Sequence, residues 1–329
     1  MSKASPQPSV SFAFIAGSLA TLAMLYLVGD GWLLGELVAP WPPLVWCVIL
    51  APRLVLLAWR GHRVEFGLCL GAALAFLALT TEWPPLLRRV AKKGAAARHV
   101  DRDTHAMRVV TWNVAGGMPW SDLEGAAPDL ALLQESTAPG LLAGRWAGFF
   151  WLQADDPAAL SRFPMTKLAT RAVGPWTPPQ VLALRHPTGR EIIVVNARLM
   201  LPAIVVAVAN LESPTGLMRL HQERVAQFRN LANLLDETLD TRNTESAIVC
   251  GDFNTPADAA SLEPLRVRLT DAWSLAGAGW GGTMTAALPV SRIDQCWVTR
   301  DLTPVSAAVR KGASDHRMLV VDLVFRSGP

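Results

Sequence analysis

The sequence predicts two different materials in one chain: an N-terminal all-α membrane region and a soluble α/β domain with mixed strands. Three observations carry this reading. Charge is unevenly spread: residues 1–90 hold six Lys/Arg and four Asp/Glu, whereas 91–329 hold 24 and 23. Apolar runs of membrane-spanning length occur only in the first part. The second part alternates short Val/Ile-rich runs with one long amphipathic segment, the pattern of strands and helices sharing a core. Overall, 51% of residues are apolar and 17% charged, against an ordinary charged share of about 25%. That composition excludes a mainly disordered protein. A net charge of +1 over 91–329 excludes a grossly basic nucleic-acid coat, leaving room only for a local basic patch.

Taken in order, 10–29 is an uncharged run long enough for the hydrocarbon core, which needs roughly 20 helical residues. Run 44–59 is broken only by Arg53, and 66–81 is short and clean. Trp32, Trp41, Trp59, Trp83 and Tyr26 sit at run ends, where amphipathic rings settle at the lipid–water boundary. Lys3 gives the first run a signal-peptide-like start, but its length and the two runs behind it favour three membrane helices over 1–87, with two helices and an interfacial segment as the alternative. The first loop has no Lys/Arg and two acids, while the second has Arg60 and Arg63. This places the soluble domain outside the cytoplasm, although Arg88, Arg89, Lys92 and Lys93 pull the other way. Residues 88–106 read as a basic linker, either a stop-transfer flank or a grip on anionic headgroups. The lipid bilayer is the one partner this region implies, and nothing calls for an obligate protein partner.

From 107 onwards, strand-like runs occupy 108–114, 130–134, 181–184, 191–199, 247–251, 295–298 and 318–325. Leu217, Leu220, Arg224, Phe228, Leu231 and Leu235 recur at helical spacing and predict one long helix. The apolar stretch 201–210 is too short to span a membrane, and Pro202 breaks its start. It reads as a buried loop or a substrate-facing apolar wall. Cys47, Cys69, Cys250 and Cys296 lack zinc-site spacing. Cys250 and Cys296 fall in strands, where buried free thiols are favoured over a bridge.

Functional groups gather at strand ends, where loops present chemistry. Asn113 closes one strand and Glu135 the next. Asp252 and Asn254 follow a third in Cys-Gly-Asp-Phe-Asn-Thr-Pro. Asp294 begins a fourth, and Ser314, Asp315 and His316 stand before the last. Oxygen-rich donors in such numbers suit a hard cation, Mg²⁺ or Mn²⁺, with water and substrate phosphate completing its shell. Taken alone, Asp252 reads as a turn cap. His186 and His221 read as packing or solvated residues, and Glu124, Asp129, Asp155 and Asp156 as solvated surface acids.

The strings Thr-Trp-Asn-Val at 111–114, Gln-Glu at 134–135, Ser-Arg-Phe-Pro at 161–164, Gly-Asp-Phe-Asn at 251–254, Arg-Ile-Asp at 292–294 and Ser-Asp-His at 314–316 occur in the order found in the endonuclease/exonuclease/phosphatase superfamily. Over 107–329 the chain resembles that family's catalytic domain. The resemblance implies a four-layer α/β sandwich, two mixed sheets face to face with helices outside. It implies metal ligands at Glu135, Asn113 and Asp315, and catalytic roles for Asp252, Asn254, Asp294 and His316 in hydrolysing a phosphodiester or phosphomonoester. The substrate would be a lipid headgroup, a nucleic acid or a small phosphoester. Where many members carry Asn-x-His, this chain reads Asn196-Ala197-Arg198. Arginine cannot act as a general acid near neutral pH, but it can grip a phosphate with two parallel bonds; a structural role, as partner to a nearby acid, stays open. A catalytically silent binding module of the same fold is the alternative function.

Overall fold

A computed structural model describes residues 10–38, 41, 43–92, 106–117, 120–136, 146–153 and 156–326. Lys3, Lys93 and Asp155, discussed above, lie outside them. The chain divides into two compact units, Met1–Thr81 and Glu82–Pro329.

In the first unit the apolar runs form α1 (Val10–Val28), α3 (Pro43–Trp59) and α4 (Arg63–Thr80), with a short α2 (Leu33–Val38) between the first two. Ala13–Gly31 and Arg63–Thr80 are long and apolar enough to cross a membrane, whereas Pro43–Trp59 is shorter. Ile15, Leu19, Leu57, Cys69, Ala73 and Phe76 pack the helices together, and Tyr26 meets Phe76 edge-on at 5.9 Å. Phe14, Leu27, Val48, Val55, Leu74 and Leu79 point outward and exposed.

The second unit opens with α5 (Trp83–Lys92). Arg88, read from sequence as part of a basic linker, folds back onto this unit. Its guanidinium donates to the carbonyls of Ser274 at 2.6 Å and Gly277 at 2.8 Å, at the C-terminal end of α10 (Ala272–Ala276).

Among the described residues twelve strands follow, in two six-stranded sheets. The first comprises β1 (Ala106–Asn113), β2 (Leu130–Gln134), β3 (Phe150–Gln153), β4 (Ala158–Ser161), β11 (Leu302–Arg310) and β12 (Met318–Phe325), in the order β11-β12-β1-β2-β4-β3. The second comprises β5 (Met165–Lys167), β6 (Gln180–Arg185), β7 (Glu191–Arg198), β8 (Ala247–Asp252), β9 (Thr270–Asp271) and β10 (Asp294–Val298), in the order β5-β6-β7-β8-β10-β9. Val109, Leu132, Leu319 and Val321 meet Leu182, Val194, Ile248 and Cys250 in one core between the sheets. On the outer face of the second sheet, α8 (Pro214–Arg242) buries Phe228, Leu231 and Leu235 against Val195 and Val249. On the outer face of the first, α6 (Trp120–Ala126) buries Leu123 against Trp112 and Leu133. A single helical turn, α9 (Glu263–Arg266), completes the layer. The expected helix–sheet–sheet–helix sandwich is therefore what the chain forms.

One local reading changes, and the cysteine reading stands. The stretch 201–210 forms α7 (Ala203–Ala209): Pro202, which cannot continue a helix from its N-terminal side, instead starts one. Ala203 and Ala207 are buried while Val205 and Val208 are exposed, so it is neither a loop nor fully buried. Cys250 and Cys296 stand opposite each other in the β8–β10 ladder, both buried and free.

Candidate active site

Strand register assembles the site. β1 and β2 run parallel with Asn113 opposite Gln134, so Glu135 leaves the sheet beside Asn113. In the second sheet Arg198 on β7 lies opposite Asp252 on β8, and Asp252 opposite Asp294 on β10. Three functional side chains thus fall in one row across three strands. The row depends on Gly251, whose φ is +147°; a Cβ there would stand 1.8 Å from the Ala197 carbonyl oxygen. Below the row, the buried amides of Gln134 and Asn196 bond across the two sheets at 2.7 Å.

Asn113 sits at the centre. Its Nδ2 donates to Glu135 at 2.9 Å and to Asp252 at 3.0 Å, which brings these two carboxylates together. Asn254 has φ +49°, a left-handed conformation that Asn tolerates better than other residues. The turn lets its N–H donate to Asp252 Oδ1 at 3.0 Å and its side-chain amide to the Leu199 carbonyl at 2.9 Å and to Asp252 Oδ2 at 3.3 Å. The buried Arg224 of α8 holds this loop through the Thr255 hydroxyl. Glu135 also has a positive φ, +54°, a conformation that costs a residue of this type about 1–2 kcal/mol.

His316 Nδ1 bonds Asp294 Oδ2 at 2.8 Å, with both residues buried. The imidazole is held from behind by its own backbone: the Trp112 indole donates to the His316 carbonyl at 3.0 Å, and the His316 N–H to the Ser314 hydroxyl at 3.1 Å. Asp252, Asp294 and His316 present ligand-type atoms within 4.8 Å of one another. Burial opposes the charged imidazolium, but the Asp294 and Asp252 carboxylates outweigh it and hold His316 at about 9. Burial, reinforced by the Asp294 charge, lifts Asp252 to about 7, against the pull of His316 and the Asn113 and Asn254 bonds.

The donor set fits a hard divalent cation. Asp294 Oδ1 is buried without a hydrogen-bond partner, and Glu135 and Asp252 both crowd a single amide nitrogen. A protonated His316 cannot be a ligand, so the oxygens of Glu135 and Asn113 are the groups that would hold the ion, with the Asp252 carboxylate beside them. Asp315 stands apart from the buried cluster and is exposed. It accepts from Ser314 at 3.3 Å and adds to the field that keeps His316 protonated.

Sequence reasoning missed one member. Asp156, read as a solvated surface acid, is half-buried against the site: its Oδ1 accepts the Glu135 N–H at 2.8 Å, and Arg198 lies 3.5 Å from its Oδ2. Only the backbone path of the Glu135 turn, invisible in sequence, could have marked it. Asp129 is likewise half-buried, accepting the Arg108 N–H at 2.8 Å and pairing with Arg162; Glu124 is exposed. Arg198 pairs with Glu135 at 2.7 Å and lies over the Trp176 ring at 5.6 Å, so it does partner nearby acids. His186 packs between Phe163 and Phe325, and His221 is buried on α8.

This fold and this row of polar strand ends define a class, and comparison with known proteins agrees. The profile of the Endonuclease/Exonuclease/phosphatase family matches residues 110–316, well over half the chain. The chain belongs to that family, whose members are hydrolases of phosphoester bonds. No curated protein matches it. Among solved structures it is similar to truncated TDP2 of Caenorhabditis elegans, at 15% identity and TM-score 0.52, over 68% of this chain and 100% of that one. It is also similar to an endonuclease/exonuclease/phosphatase from Beutenbergia cavernae, at 20% identity and TM-score 0.49, over 68% and 73% of the two chains. A mannosyl-6-phosphatase from Bacteroides thetaiotaomicron aligns at 15% identity and TM-score 0.47, over 67% and 100%.

Proposed function

We propose that the protein is a membrane-anchored, Mg²⁺- or Mn²⁺-dependent phosphoesterase acting by in-line attack of water. The observation that carries this reading is the convergence of Asn113, Glu135, Asp252, Asp294 and His316 on one buried polar centre. Asp252, lifted towards neutrality and braced by Asn113 and Asn254, is suited to accept the proton of the attacking water. His316 spends Nδ1 on Asp294 and keeps Nε2–H for a phosphoryl oxygen, its positive charge opposing the charge that develops there. When bound, the divalent ion would act as a Lewis acid on the phosphoryl group. Arg198 takes the place of a family histidine as a phosphate clamp rather than a proton donor.

Anchoring is supported by the large aliphatic and aromatic side chains exposed around α1, α3 and α4, far more apolar surface than a soluble unit leaves in water. The loop charges favour an extracytoplasmic catalytic domain, and protease access in sealed vesicles tests that side.

Charge also bears on the substrate. Duplex affinity rests on phosphate contacts from free cations. Of Arg219, Arg224, Arg229, Arg266, Arg268 and Arg292, which could contribute to such a stripe, Arg224 and Arg292 are buried. Arg219, Arg266 and Arg268 pair with Glu223, Glu263 and Asp236, which leaves Arg229 exposed. This favours a lipid headgroup or a small phosphoester over duplex DNA. A screen of the detergent-solubilised chain with Mg²⁺ on phospholipids, duplex DNA, RNA and simple phosphoesters tests it. Fastest turnover on duplex DNA would reverse the substrate preference.

A further inference from the structure

One carboxylate at the edge of the site is not accounted for by the reaction. Asp156 begins the approach to β4 and spends its two oxygens on different tasks. Oδ1 accepts the N–H of Glu135, in the turn where that residue has φ +54°, and the carboxylate also accepts the N–H of Ser136 in the same turn. Oδ2 faces the Arg198 guanidinium at 3.5 Å, while the other arm of Arg198 reaches Glu135 Oε1 at 2.7 Å. Trp176 covers the guanidinium face at 5.6 Å. Arg198 is thus held on three sides, by two carboxylates and an aromatic face. Its side chain is 27% exposed and that of Asp156 20%, so these contacts are only partly screened by water.

The consequence follows from competition. Glu135 is the residue best placed to hold a divalent ion, and it is also the acid nearest Arg198. With no second anion, the guanidinium would settle fully on Glu135, in the bidentate geometry that arginine and carboxylate prefer. That would neutralise the ligand and withdraw the cationic arm from the substrate. We propose that Asp156 is a positioning residue: it fixes the Glu135 turn through the backbone and shares Arg198 with Glu135, keeping Glu135 available to a cation and Arg198 available to a phosphate. The assignment rests on the phosphoesterase reading above and goes beyond it, because Asp156 touches no reacting atom.

Two substitutions separate the two tasks. Asp156→Asn keeps an oxygen acceptor for the Glu135 N–H but loses the charge that holds Arg198; Asp156→Ala loses both. The measurements are Mn²⁺ binding by calorimetry, and kcat and KM for a soluble aryl phosphodiester with Mg²⁺, in the full-length detergent-solubilised protein. Supporting-shell residues of this kind are worth roughly 10- to 100-fold. Mn²⁺ binding is therefore expected to weaken about tenfold in Asp156→Ala and less in Asp156→Asn. The kcat should fall at least tenfold in both at saturating Mg²⁺. In an Arg198→Ala background, Asp156→Asn should add no further loss of kcat, since its effect runs through that arginine.

Losses in kcat that multiply in the double variant would overturn the proposal, as would unchanged Mn²⁺ affinity in Asp156→Ala. If Asp156→Ala does not fold, Asp156→Asn, which keeps the turn acceptor, carries the kinetic test. A wild-type protein that binds Mn²⁺ but hydrolyses no phosphoester would instead remove the phosphoesterase reading, and the Mn²⁺ comparison would still decide whether Asp156 holds Glu135.

Discussion

At the scale of single residues, the account turns on two buried groups with displaced proton affinities. Asp252, lifted to about 7, must be ionised to accept a proton; His316, held at about 9, must be protonated to oppose phosphoryl charge. Activity should therefore rise as pH increases through the Asp252 range and fall as it passes through the His316 range. The two limbs belong to the coupled pair rather than to either residue alone. A pH–rate profile on a soluble phosphodiester checks this, and His316→Gln should lose the alkaline limb together with about two orders of magnitude in kcat. Asp294→Asn should remove the field that keeps the imidazole charged, moving the falling limb towards lower pH; an unmoved limb would contradict the role given to Asp294. Legibility at this scale was uneven. Asp252, Asp294 and His316 stood in recognisable strings because each lies at a strand end beside its own short motif. Asp156 did not, because its partners are Glu135, 21 residues away, and Arg198, 42 residues away. An Asp-Asp-Pro string looks the same whether solvated or folded against a site.

At the scale of elements, register does the positioning, and Gly251 makes the register possible. The β7–β8 ladder brings Arg198 beside Asp252, with the Gly251 α-carbon too close to Ala197 for any side chain. Gly251→Ala should cost about 3 kcal/mol or more of stability, read as a lowered thermal midpoint, with activity lost in parallel. Arg88→Ala should cost about 1.5–3 kcal/mol, the scale of hydrogen bonds to a charged group, and leave kcat unchanged. The longer strands and α8 were legible because period-2 and period-3.6 patterns persist over enough residues. β3, β4 and β5 were not, being three to four residues long. Nor was β11, where Pro304 interrupts the pattern: the strand lies at a sheet edge and bulges between Pro304 and Ser306, and edges and bulges are where a sheet tolerates proline. α7 was misread because an uninterrupted apolar run hides which face is buried.

At the scale of the whole molecule, the chain joins a lipid-compatible helical unit to a hydrolase sandwich of the Endonuclease/Exonuclease/phosphatase family. Charge alone suggested two parts in the sequence, because charged side chains are expensive in lipid and ordinary in water; the compact units divide at Thr81/Glu82, ahead of the expected 87/88 boundary. If the first unit is an anchor, the full-length protein should stay with the membrane through alkaline carbonate extraction and leave it only with detergent. Recovery in the soluble fraction would contradict that part of the account. The central claim is that distant carboxylates and amides meet to hydrolyse a phosphoester with the help of a divalent ion. Its most direct test is Mg²⁺-dependent cleavage of a soluble phosphodiester by wild type and Asp252→Ala, each with and without chelator. The account predicts turnover that chelator abolishes and that falls at least a thousandfold, about 4 kcal/mol in barrier, in Asp252→Ala. Equal rates in the two proteins, or turnover indifferent to chelator, would contradict it.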